Sequence, residues 1–194
     1  MARKKNTMIL GFTGYAQSGK DTAAGFLVAR GWRRLAFADI LRDSLYNLNP
    51  IIVSDESGDG MLVNPSHFRV RDIVDFIGWD RAKVEYPEIR QLLQRLGTEV
   101  GRELYGENFW VERVMSQINR GEQIVITDVR FPNEEQAVHS AGGRVFRIVR
   151  TGVSAANGHA SELEIDRLSV DGVIPNMDGL DLFEQDVLEA AGLN

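Results

Sequence analysis

Cysteine is absent from the 194-residue chain. Its absence excludes disulfides and thiolate metal sites and suits a reducing cytosol. An excess of positive charge is missing too, since 22 Lys and Arg face 28 Asp and Glu for a formal net charge of -6. Duplex binders depend on neutralising phosphates, so nucleic acid is not an expected partner, although a local basic cleft for a small anion stays open. No apolar run approaches the roughly 20 residues that span a bilayer. The opening "MARKKNTMILGF" is basic and then apolar, but its apolar part is too short for a signal peptide. There is no internal repeat and no low-complexity tract. A soluble, cytoplasmic protein is the expectation, without a membrane partner.

What is present is an ordinary globular composition, 43% hydrophobic and 26% charged, on a length that suits one domain. Met8 to Thr13 is nearly all apolar, as a parallel strand buried on both faces would be. Ala23, Ala24, Leu27 and Val28 follow at helical spacing, with Gly31 where a C-terminal cap belongs. Leu35 to Ala38 reads as a second strand, which makes one βαβ unit and predicts a parallel sheet. Beyond it, "IIVSDESGDGMLVNP" suggests a hairpin or exposed loop. Val70, Ile73, Val74 and Ile77 mark one helix face. After Pro87, Ile89, Leu92, Leu93, Leu96, Val100 and Leu104 form an apolar stripe. Asn108 is a plausible N-cap for a helix running through Met115 and Ile118. "QIVITDVRF" and "GRVFRIVR" are two further strands around a short helix, begun by Pro132-Asn133 and ended by Gly142-Gly143. A last strand near "GVIPN" precedes a helix opened by the box Asp181-x-x-Glu184. The expectation is an α/β fold with a parallel sheet of about five strands and helices on both faces. Its ligand crevice should lie at the carboxyl ends of the strands.

Between the first strand and first helix stands "GFTGYAQSGKDTAA", a Gly14-x-x-x-x-Gly19-Lys20 motif. In that context the glycines let successive backbone N–H groups curl around a polyphosphate, and the helix N-terminus adds partial positive charge. Gly14, Gln17, Ser18, Gly19, Lys20, Asp21 and Thr22 are the candidate ATP-binding residues, with Lys20 reaching the β and γ phosphates. The bland alternative is a Gly-rich turn with a surface lysine. Asp21 departs from the general pattern, which has Ser or Thr directly after the lysine. The hydroxyl comes one place later, at Thr22. Gly-Lys-x-Thr also occurs in kinases of the adenylate kinase kind, and this tilts the site towards small-molecule kinases and away from switches and motors.

Together the blocks "SGKDTAA", "AFADILRD", "LLQRLGTEVGRELYGENFW", "VITDVRFPNEEQAV" and "HASE" resemble the deoxynucleoside monophosphate kinases of bacteriophages and some actinobacteria. They run in the family's order from about Ile9 to the final helix. The resemblance implies the P-loop nucleoside monophosphate kinase fold over 1–194. Its core would take residues 1–39 and 120–194, with a helical acceptor-binding insertion at about 40–119 and a small lid at about 150–167. It implies ATP as donor, Mg²⁺ as metal and a deoxynucleoside monophosphate as acceptor, all in the cytoplasm (the host's, for a phage-encoded chain). In the second block Ile40 and Arg42 take places where the family more often has Pro and Lys, in Ala-Asp-Pro-Leu-Lys. Arg keeps the charge and adds a fork for phosphate oxygens.

The remaining candidates follow from position. Asp128, at the end of "QIVITD", can hold magnesium together with Thr22, directly or through water. Arg130 comes two residues later and so is expected on the same side of the strand. The resemblance implies that it meets the acceptor's phosphate; otherwise it pairs with Asp128. Asp39 and Arg42 follow the second strand, and Asp39 is equally an N-cap of "ILRDSLYNL". Arg69 and Arg71 are candidates for gripping the acceptor phosphate. Gln94 and Arg95 are surface helix positions to which the resemblance gives a substrate role. Trp110 either stacks on a base or belongs to the core. Arg144, Arg147 and Arg150 are expected on one face of the fourth strand. Arg150 is the candidate that clamps charge where the chain leaves the sheet for the lid. Lys20, Arg130 and Arg150 are thus the catalytic candidates. His159-Ala160-Ser161-Glu162 matches a family block, yet Ser161-x-x-Glu164 is also a capping box. His67 and His139 have no partner in the pattern. Glu134 and Glu135 read as caps. A homodimer is compatible with the sequence. The alternatives are a P-loop kinase for another small acceptor, such as dephospho-coenzyme A or phosphomevalonate, and a regulatory nucleotide-binding module with no acceptor.

Overall fold

The structure, a computed structural model, describes residues 6–53, 67–153, 164–177 and 179–193. It divides into two compact units, Met1–Ala38 with Val111–Asn194, and Asp39–Trp110.

The first unit is built on a five-stranded sheet. Its strands are β1 (Met8–Thr13), β2 (Arg33–Leu35), β5 (Gln123–Ile126), β6 (Arg144–Val149) and β7 (Gly172–Pro175), in the order β2-β5-β1-β6-β7 and all parallel. Apolar side chains from both faces explain the near-continuous apolar runs. On one face Leu10, Phe12, Val125 and Ile148 pack against Ala23, Ala24 and Leu27 of α1 (Lys20–Val28). Phe183, Val187 and Ala191 of α7 (Leu180–Ala191) close the same cluster. Phe26 and Phe183 meet edge to face, with ring centroids 5.8 Å apart. The other face lies under α6 (Pro132–Ser140), which packs on β1 and β6. There Gly11 is a spacing requirement: a Cβ would stand 2.9 Å from a Val129 methyl and 3.2 Å from one of Val145. The layers are helix, sheet, helix, as expected. Among the described residues no helix is long and apolar enough to cross a membrane.

The second unit takes most of α2 (Phe37–Leu48), then the antiparallel pair β3 (Ile51–Val53) and β4 (His67–Arg69). It continues through α3 (Val70–Glu85), α4 (Pro87–Arg95), a π-helix at Leu96–Leu104 and the start of α5 (Phe109–Met115). Leu45, Ile52, Val70, Ile73, Ala82 and Ile89 form its core. α3 breaks at Gly78, whose φ of 76° and ψ of 162° are non-helical.

Several local expectations shift. The second strand is Arg33–Leu35, not Leu35–Ala38, because Phe37 already begins α2. Asp39 is therefore in the first turn of that helix and is not its N-cap. Val28 is on the exposed side of α1. The apolar stripe after Pro87 does not last: i→i+5 bonding turns less per residue, and Leu104 emerges 73% exposed. The helix after Asn108 stops at Met115, short of Ile118. Gly179 precedes α7 and no side chain caps it, so the Asp181 box is not used. Trp110 is core; its indole fills the space a side chain at Gly101 would need, and its Nε1 donates to Gly97 O at 3.0 Å.

Asp171, before β7, ties the crossover from β6 to its neighbours. It accepts from Val145 N at 2.7 Å and lies 2.9 Å from His139 Nε2; the other ring nitrogen of His139 is 3.4 Å from Glu135 Oε1. Burial pushes the Asp171 carboxyl up, but the Val145 amide, His139 and Arg144 together outweigh it and hold the group below the usual carboxylate range. A carboxyl lowered in the folded state contributes stability above its unfolded value of about 3.9, and that contribution is lost as the pH falls further. The melting-temperature gap between the wild type and Asp171→Asn should thus hold from neutral pH to about pH 5 and narrow below about pH 4. Thermal melts across that range provide the check, and a gap independent of pH would contradict it.

Candidate active site

The chain turns from β1 into α1 at the carboxyl edge of the central strand, between β5 on one side and β6 on the other. That is the switch point at which open α/β sheets bind ligands. Gly14 opens the turn at φ 139° and Gly19 closes it at φ 107°; Gln17, at φ 64°, is one of few non-glycine residues in the left-handed region. A Cβ on Gly14 would meet the Ile148 carbonyl oxygen at 2.5 Å, and one on Gly19 would run into Asn176 Nδ2. Backbone curvature of this kind is retained where a ligand approaches closely.

Lys20 begins α1 and arches back over the loop. Its Nζ donates to Gly14 O at 2.7 Å and Tyr15 O at 2.6 Å, with Ser18 Oγ at 3.5 Å. A pocket of about 360 Å³ opens beside it, lined by Gln17, Gly19, Lys20, Asp21, Thr22 and Arg150. Arg150 lies just past β6, and its Nη1 is 3.5 Å from Gln17 O. Asp21 turns outward, with its side chain 85% exposed and 3.8 Å from Arg34 Nη2, so its charge is spent largely on solvent. This removes much of the difficulty of a carboxylate next to the lysine.

β5 ends at Ile126, so Asp128 and Arg130 stand on the turn beyond it and not on the strand. The alternation that would put them on one side does not apply. Asp128 instead caps α2: Phe37 N donates to Oδ1 at 2.7 Å and Ala38 N to Oδ2 at 2.9 Å. Losing such a cap costs about 1–2 kcal/mol. Asp128→Ala should lower stability by that amount in melts without nucleotide or metal, and an unchanged melting temperature would refute the capping role. Arg130 projects from the same turn with its side chain exposed.

The expected row of strand arginines does not exist, because residues three apart on a strand fall on opposite faces. Arg144 covers the Phe146 ring and donates to Ala190 O, whereas Arg147 donates to Ile165 O at 2.7 Å. Only Arg150 joins the phosphate loop. The lid interior and His159-Ala160-Ser161-Glu162 lie outside the described residues, as does Ser161 of the capping box.

In the second unit Arg42 pairs with Asp39 at 3.6 Å, and Arg95 with Glu99 at 3.2 Å. Arg69 donates to Asn49 O, and Arg71 to Tyr46 O while lying over the Tyr46 ring. Gln94 is exposed on α4. Arg69, ending β4, thus bonds to the residue after α2, and Arg71, in the first turn of α3, ties that helix to α2, roles invisible without the fold.

Sequence pattern missed two supports of the loop. Asn176, just after β7, donates from Nδ2 to Ser18 O at 2.9 Å. Tyr15 OH donates to Asp166 Oδ2 at 2.7 Å. The one available signal was an Asn placed directly after a strand at the sheet's carboxyl edge.

The family model for deoxynucleotide monophosphate kinases matches residues 39–187. The chain belongs to that family. It is an enzyme, a nucleoside monophosphate kinase, with a phosphoryl donor and small-molecule substrates. A putative deoxynucleotide monophosphate kinase of Acanthamoeba polyphaga mimivirus is 27% identical over 192 residues, covering 93% of this chain and 94% of that one. The deoxynucleotide monophosphate kinase of Escherichia phage RB69 is 31% identical over 93 residues, 45% of this chain and 38% of the phage protein. Dephospho-CoA kinase from Campylobacter jejuni aligns over 96% of both chains with a TM-score of 0.47 and 14% identity.

Proposed function

We propose that this kinase moves the γ-phosphoryl group of Mg²⁺-ATP onto a deoxynucleoside monophosphate, giving ADP and the deoxynucleoside diphosphate. The observation that carries the reading is the cupped Gly14–Lys20 loop at the switch point, with Arg150 on its rim, in a chain of this family. The glycine-bracketed turn and the start of α1 beside the pocket suit the donor's phosphates. Lys20 follows charge onto the bridging oxygen, and Arg150 answers the charge spreading over the transferred group.

The acceptor's attacking atom is already an anionic phosphate oxygen, so no general base is required. Positioning and electrostatics then carry the rate. Arg130 is the residue we assign to the acceptor phosphate, with Asp39, Arg42, Arg69, Gln94 and Arg95 as the acceptor-side candidates. Of these, Arg69 keeps only part of its guanidinium available, since Nη1 is engaged by Asn49 O.

The donor set is compatible with magnesium. Thr22 offers an exposed hydroxyl in the pocket. Each Asp128 oxygen accepts from a backbone N–H, and an ionised carboxylate offers about four acceptor sites in all. Magnesium retains several waters and needs few protein ligands, so Thr22 would bind it directly and Asp128 through water. When bound, it would neutralise charge on the β and γ phosphates.

The deciding experiment measures ADP release from ATP with each common deoxynucleoside and nucleoside monophosphate, and with dephospho-coenzyme A and phosphomevalonate. Acceleration by deoxynucleotides is the expected result. Acceleration by another acceptor alone, or slow hydrolysis that no acceptor changes, would overturn the proposal.

A further inference from the structure

The turn that carries Arg130 is held more tightly than a surface turn needs to be. Thr127 N donates to Leu35 O at 3.1 Å and Val129 N to Phe12 O at 3.1 Å, which fixes the approach to the turn. The next two amides go to a single atom: Glu134 Oε2 accepts from Arg130 N at 2.7 Å and from Phe131 N at 3.2 Å. Pro132 then fixes the following φ and has no N–H to satisfy. Glu134 returns the bond through its own amide, which donates to Phe131 O at 3.0 Å. Its side chain is only 5% exposed.

A buried carboxylate is costly unless it is fully answered. Here the two amides and the N-terminal end of α6 answer it. An ordinary cap on an exposed helix would serve as well from the surface. The buried position makes Glu134 a brace against which the Arg130 backbone cannot rotate, while the guanidinium remains in solvent. We infer that Glu134 is a positioning residue: it sets the direction of Arg130 and thereby the enzyme's grip on the acceptor phosphate. The inference rests on the proposed role of Arg130.

The test compares steady-state constants of the full chain carrying Glu134→Ala, Glu134→Gln, Arg130→Ala and the Ala/Ala double variant. Freeing the turn should raise KM for the deoxynucleotide by about ten- to a hundredfold, since small misplacements of a binding group are that costly. KM for ATP should hardly move. Glu134→Gln should stay within about fivefold of the wild type, because one carbonyl oxygen can take both amides, though each bond loses its charge assistance. In the Arg130→Ala background, Glu134→Ala should add nothing to the acceptor KM. Full additivity there, or an equal rise in both KM values, would overturn the positioning role while leaving Arg130's own role intact. A wild-type acceptor KM in Arg130→Ala would sink the assignment of Arg130 and this inference with it. If Glu134→Ala does not fold, Glu134→Asp carries the test. It is one methylene too short to reach both amides and should give an intermediate rise; a wild-type value would refute the inference.

Discussion

Lys20→Ala should lower kcat by on the order of 10²–10³ while leaving the protein folded, the loss expected when one preorganised charge donor is removed from a transferring phosphoryl group. The side chain's bonds to two carbonyls and a hydroxyl lie within its own loop, so losing them costs the fold little. The substitution does leave the Gly14 and Tyr15 carbonyls without their cation, which makes the loop less hospitable to phosphate. KM for ATP should therefore rise along with the fall in kcat, and Lys20→Arg should restore only a fraction of the rate, because the fork of a guanidinium does not fit a seat made for a compact ammonium. Coupled ADP-release kinetics on all three proteins check this. Near-normal turnover by the alanine variant would remove Lys20 from the chemistry.

The second large effect lies at Gly14. Gly14→Ala places a methyl group 2.5 Å from the Ile148 carbonyl oxygen and 2.9 Å from Ser18 Oγ, at a φ of 139°. Ser18 can rotate away. Ile148 cannot, because β6 is locked between β1 and β7. The unfavourable φ costs on the order of 1–3 kcal/mol, and the forced contact adds a comparable amount. The loop must relax outward, so ATP protection should vanish. Differential scanning with and without an ATP analogue would read both quantities, a drop in melting temperature of about 10 °C or more and no upward shift on adding nucleotide. A variant that still gained stability from the analogue would show that the loop's curvature is not needed for binding.

Sequence alone was enough for the central sheet and for the sharp glycine turn after β1, because those signals are local. β1 is apolar on both faces, and the two glycines bracket a strand-to-helix turn. The family blocks pointed to the same kinase family that the family model matches. The failures have two causes, distance along the chain and a wrong period. Leu35-Ala36-Phe37-Ala38 looks like a strand by composition, yet its second half is helix because a carboxylate 91 residues later in the chain caps Phe37. Asp128 and Arg130 read as strand residues because nothing nearby shows that pairing stops at Ile126. The Arg144, Arg147 and Arg150 row was an error of period, since a spacing of three cannot keep side chains on one side of a strand. For Asn176 the pattern offers only its place directly after a strand, since its bond to Ser18 O crosses 158 positions.

That last bond has a consequence for how the enzyme is made. The Gly14–Lys20 motif is synthesised early relative to its surroundings: β1 acquires its neighbours only when β5 and β6 follow more than a hundred residues later. The strap that steadies the loop arrives later still, with Asn176. A nascent or prematurely terminated chain thus carries the whole nucleotide signature and none of its support. On the donor role proposed for the loop, its full support for ATP exists only once synthesis has reached Asn176.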